Sequence, residues 1–81
     1  MTVRITVRDA DSGNKIKMDL ELENTVEETI ESAASNWEKD AGAYVLRFGK
    51  KLLRGRMTVE DIELTEGAFL ELIPDPEGGS E

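Results

Sequence analysis

Residues 2–37 read TVRITVRDADSGNKIKMDLELENTVEETIESAASNW, and two successive periods in this stretch set the architecture. Over residues 2–8 Val3, Ile5 and Val7 alternate with Thr2, Arg4, Thr6 and Arg8. A period of two with β-branched residues is the pattern of a half-buried strand. The turn formers DADSGN follow, and residues 15–22 then alternate again, with Ile16, Met18, Leu20 and Leu22 on one face. Two such runs joined by a short Gly/Asn turn predict an antiparallel hairpin. From Asn24 the period changes to that of a helix: Val26, Ile30, Ala33, Ala34 and Trp37 share one face. Asn24 or Thr25 supplies the cap, Glu27 and Glu28 suit the positive end of the helix dipole, and Thr25 with Glu28 makes a capping box. The helix is expected to fade near Lys39, with Gly42 as its stop. Trp37 is expected to fill space beside the small Ala33 and Ala34.

Beyond the helix, YVLRF (44–48) reads as a strand with Leu46 and Phe48 inward and Arg47 exposed. GKK turns the chain into a brief apolar pair, Leu52 and Leu53. Thr58 and Asp61 repeat the cap spacing, and Val59, Ile62 and Leu64 pin that turn to the core. EGAFLELI (66–73) closes the body as a strand with Leu70 and Leu72 on one face, Phe69 and Ile73 on the other. Hairpin, helix, strand, short strand and strand predict an α+β, two-layer domain: a mixed four- to five-stranded sheet packed on one helix. If the last strand sits in the middle beside the first, this is a β-grasp.

The totals bound the rest. Eighty-one residues make one domain, expected here as a body over 1–73 and a flexible tail over 74–81. The net charge of −8 argues against nucleic acid. No apolar run suits a membrane span and no leader pattern opens the chain, so a cytoplasmic monomer is expected. Cysteine and histidine are absent, which removes disulfides, thiolate metal sites and the familiar acyl-transfer dyads. DADSGNKIKMDL opens like a calcium loop, but Gly13, Asn14 and Leu20 stand where ligands and the turn glycine belong. GKKLLRGR lacks the spacing of a phosphate loop. Charge is segregated: Asp19 to Glu31 holds six acids and no base, while Arg47, Lys50, Lys51, Arg54 and Arg56 follow one another without an acid. The basic run reads either as a solvated turn that offsets the acidic helix or as a docking patch for an acidic partner.

At this point the sequence resembles ubiquitin and its relatives. Thr25 and Val26 match the helix start, and Phe48 and Lys51 match the third strand and its turn. Leu53, Thr58, Val59, Asp61 and Leu64 match the segment before the last strand, and Leu70, Leu72 and Ile73 match that strand. The same offset sets Gly78 and Gly79 on the diglycine of mature modifiers, with a four-residue spacer between them and Ile73. The resemblance covers about residues 1–79. Two departures are chemical: Arg47 and Glu71 stand where the family's recognition patch is apolar and carries histidine, with only Ile73 keeping its character. Docking there would have to desolvate both charges unless they are paired. The spacer PDPE is acidic at Asp75 and Glu77, whereas the family's is basic, so an activating enzyme would need the complementary sign.

The resemblance implies a non-enzymatic protein modifier of prokaryotic type, made as a precursor and needing no bound cofactor. A partner protease would cleave between Gly79 and Ser80. An ATP-dependent activating enzyme, and then a conjugating enzyme, would carry the Gly79 carbonyl to an amine of a target protein. Glycines leave no side chain to clash in an enzyme's narrow cleft, and Pro74 and Pro76 favour an extended spacer. Two other readings stay open. One is a non-conjugated interaction module using the basic run or the Phe69, Glu71, Ile73 face. The other is a sulfur carrier with a thiocarboxylate at Gly79.

Overall fold

The computed structural model describes residues 2–53 and 55–75. Strands β1 (Thr2–Asp9) and β2 (Lys15–Glu21) form the expected hairpin, in register from Thr2 opposite Glu21 to Arg8 opposite Lys15. Ile5, Val7 and Leu20 are buried, and Val3, Ile16, Met18 and Leu22 pack at the core's margin. In the turn the Asp9 N–H donates to Asn14 O at 2.7 Å and the Gly13 N–H to Asp9 O at 2.7 Å. Gly13 has φ +83, a conformation that a Cβ would strain.

Helix α1 (Val26–Asn36) starts on the predicted capping box: Glu28 N–H donates to Thr25 Oγ1 at 3.1 Å, and Thr25 N–H donates to Glu28 Oε1 at 3.0 Å. The next free amides are met from across the molecule. Val26 N–H donates to Met57 O at 2.8 Å and Glu27 N–H to Gly55 O at 3.0 Å, so the loop after β4 closes the helix end. Val26, Ile30, Ala33 and Ala34 are buried as expected, and so is Thr29, whose hydroxyl donates to Thr25 O at 3.0 Å. Trp37 is half-buried against the core. The helix ends at Asn36, earlier than the sequence suggests, because Glu38 turns left-handed at φ 58. Gly42 sits instead in a separate 3₁₀ turn, Ala41–Ala43, capped by the Asp40 carboxylate.

Strands β3 (Tyr44–Phe48), β4 (Lys51–Leu53) and β5 (Ala68–Pro74) complete one five-stranded sheet in the order β2-β1-β5-β3-β4. β5 is parallel to β1 and antiparallel to β3. This is the β-grasp arrangement, with the last strand central. Leu46, Leu70 and Leu72 turn toward α1, and Leu70 and Leu72 are fully buried. The segment before β5 folds as anticipated: Thr58 and Asp61 exchange reciprocal 3.1 Å hydrogen bonds, while Val59 and Leu64 enter the core. β5 runs one residue past Ile73, to Pro74 opposite Tyr44. Among the described residues no helix is long and apolar enough to cross a membrane.

Candidate functional site

Two regions carry most of the sequence's candidate residues: the end of β5, from which the chain leaves, and the sheet face turned away from α1. Gly78, Gly79, Ser80 and Glu77, with Arg54 of the basic run, lie outside the described residues. The launching end is described. β5 holds the sheet's centre through Leu70 and Leu72, and Pro74 falls at its last position, where the missing N–H interrupts no inner ladder. Asp75 N–H then donates to Ala43 O at 2.9 Å, fixing the direction in which the chain leaves.

Around this exit a polar cluster joins three segments. Lys39 Nζ lies 2.9 Å from Asp11 Oδ2, 3.5 Å from Asp9 Oδ2 and 3.4 Å from the Tyr44 hydroxyl, and 5.0 Å from the Tyr44 ring centroid. Tyr44 Oη donates to Asp11 Oδ2 at 3.2 Å. Asp9, 1% exposed, accepts from Asp11 N–H at 3.2 Å and from Ser12 Oγ at 2.9 Å. Ala10 N–H donates to Leu72 O at 3.1 Å. The hairpin turn, the segment after α1 and the start of β3 are thus tied together where β5 ends.

On the outer face, Glu71 of β5 is flanked by Arg8 of β1 and Arg47 of β3 as register partners. Arg8 reaches Glu71 Oε2 at 3.0 Å, and the Arg47 guanidinium pairs with the other carboxylate oxygen. Phe69 is 47% exposed on the same face, and Ile73 is half-buried beside Val45.

No protein-family model and no curated protein matches this sequence. Solved structures do match the backbone. Caldiarchaeum subterraneum ubiquitin superposes with a TM-score of 0.84 at 18% identity, over 98% of this chain and 100% of that one. A designed protein based on ubiquitin gives 0.84 at 22%, over 99% and 96%. The UBL domain of Plasmodium falciparum Dsk2 gives 0.83 at 16%, over 93% and 100%. The fold is ubiquitin-like.

This ubiquitin-like domain treats its charged positions in a way the sequence did not disclose. Arg47 and Glu71 face each other and are paired, so covering them does not strand an isolated charge. Arg47 is thereby separated from the rest of the basic run: it belongs to the sheet face, whereas Lys50 and Lys51 are exposed beside a hollow that Leu52, Met57 and Ile62 also line. The cations that do accompany Arg47 come from the hairpin, namely Arg8, Lys15 and Lys17. Their outward phase was present in the alternation of residues 2–8 and 15–22, but only the β1–β5 pairing brings them beside Arg47. Asp9 was also missed, because an aspartate among turn formers gives no sign of burial.

The cluster at the exit has a defined pH range. The hydrogen bond from Lys39, then that from Tyr44, holds the Asp11 carboxyl below its ordinary value, while the Asp11 bond pushes the Lys39 ammonium up. A depressed carboxylate stabilises the fold above its unfolded pKa, about 3.9, and loses that contribution as pH falls through the folded value. A raised ammonium contributes fully below its unfolded pKa of about 10.4 and loses this only above it. Thermal melts should therefore plateau between about pH 5 and 10 and fall in acid. Asp11→Asn should make the acid limb shallower, while an acid limb identical in both proteins would contradict this assignment.

Proposed function

We propose that this ubiquitin-like protein is a cytoplasmic modifier, made as a precursor and joined to target amines through Gly79. The observation that supports the reading most is the placement of β5: a central strand, anchored by the fully buried Leu70 and Leu72, leads the chain out at Asp75, with the spacer and diglycine next in sequence. A fold that stays closed while its following segment enters another enzyme suits this role. A protease first hydrolyses the Gly79–Ser80 bond, releasing Ser80–Glu81. The Gly79 carboxylate then attacks the α-phosphate of ATP, expelling pyrophosphate. A cysteine thiolate of the activating enzyme displaces AMP, and the thioester passes by exchange to a conjugating enzyme. The target's amine finally displaces that thiol to leave an amide. Every catalytic group belongs to partners, since this chain has neither His nor Cys.

A second reading, a non-conjugated interaction module, is favoured by the paired charges and exposed Phe69 on the sheet face. The test separates the two. Incubating the chain ending at Gly79 with the activating enzyme of its own genome and ATP should yield a thiol-sensitive adduct. Deleting Gly78 and Gly79 should abolish it. An equal yield from the deleted form would overturn the modifier reading.

A further inference from the structure

The outward residues of β1, β2, β3 and β5 include five bases, Arg4, Arg8, Lys15, Lys17 and Arg47, against three acids, Asp19, Glu21 and Glu71. A chain of net charge −8 therefore keeps one locally basic face. Phe69 stands in the middle of it, 47% exposed on the central strand. On one side of its ring lies a hollow lined by Thr6, Lys15, Ile16 and Lys17; on the other, a hollow lined by Arg47, Gly49 and Glu71. Lys15 Nζ is 5.9 Å from the ring centroid. A large aromatic left in water between two cation-rimmed hollows is an amphipathic surface without its complement.

We propose that this face docks an acidic protein segment bearing a large aliphatic side chain, which packs on Phe69 while its flanking carboxylates meet Lys15 and Lys17 on one side and Arg47 on the other. Charge complementarity selects the occupant. Glu71 already shows how the face treats a carboxylate, holding one between two guanidinium groups. Arg47, half-exposed, keeps further N–H donors for a second. The acids of α1 lie in the other layer, across the sheet from this face, so they do not stand among its bases. A nucleic acid suits it less: a polyanion long enough to gain from counterion release would run onto Asp19 and Glu21 at the far end of the hairpin. The proposal goes beyond the modifier reading and does not depend on the fate of Gly79.

The test uses the full chain, labelled with ¹⁵N, and a synthetic peptide, Glu-Asp-Glu-Leu-Leu-Glu-Asp-Glu. The same peptide with lysine at every acid, and a thymidine oligonucleotide, serve as competitors. Amide shifts should centre on Thr6, Lys17, Arg47 and Phe69. Lys15→Glu with Lys17→Glu should weaken binding by roughly tenfold or more, and Phe69→Ala by about fivefold. These side chains are exposed, and the undisturbed amide spectrum of each free variant verifies its fold. The proposal is overturned if the lysine peptide or the oligonucleotide binds these residues as tightly. It is equally overturned if the shifts fall on α1, or if none appears at about 1 mM acidic peptide.

Discussion

Replacing Leu72 with alanine is expected to lower stability by about 3–5 kcal/mol. Leu72 is fully buried in the sheet's central strand, opposite Leu46 on β3 and Asp9 on β1. Hydrogen-bonded strands on both sides hold the backbone apart, so the cavity cannot close by collapse. A domain of this size has a net stability of roughly 4–12 kcal/mol, so the variant would lose a large share of it. Ile73→Ala, one residue on but on the outward face, should cost about 1 kcal/mol or less. Urea unfolding followed by far-UV circular dichroism reads both. Similar losses at the two positions, or under about 1 kcal/mol at Leu72, would contradict the register.

Asp9→Ala should cost about 2–3 kcal/mol, although a charged residue beside a turn would ordinarily be replaceable. Removing this buried carboxylate takes the acceptor from the Asp11 amide and the Ser12 hydroxyl, and one counter-charge from Lys39. Asp9→Asn keeps an acceptor oxygen and should lose less. Hydrogen exchange at the Asp11 and Gly13 amides should speed up in the alanine variant ahead of global unfolding. Once Lys39 is alanine, the further loss from Asp9→Ala should shrink, because the pair is coupled. Unchanged turn exchange together with additive losses would show that the cluster is not a unit.

What was legible in the sequence was whatever a local period encodes. Alternation marked β1, β2 and β5 and assigned Leu70 and Leu72 against Phe69 and Ile73 to the correct faces. The spacing of Thr25 and Glu28 located the helix start, and that of Thr58 and Asp61 the later turn. Illegible were features made by residues distant in the chain. Glu71 reads as one outward acid until β1 and β3 bring Arg8 and Arg47 to its two sides. Val45 lies on the outward phase beside Ile73 yet is only 2% exposed, which alternation alone does not convey. The helix end escaped because Glu38 adopts a left-handed conformation usually left to glycine or asparagine. Of the candidate site, the face could be assembled only with the sheet order known, whereas the diglycine was visible as plain sequence.

The parallel pairing of β1 with β5 has a consequence for biosynthesis. Arg8 waits sixty-three residues for Glu71. While a ribosome is still making residues 68–74, the hairpin and β3 have no shared neighbour, and Leu46 lacks the leucines that cover it. Any product cut short before Leu70 should stay open and be cleared by proteases. The sheet can close only after β5 has been made, so the capacity to fold arrives late along the chain and all at once.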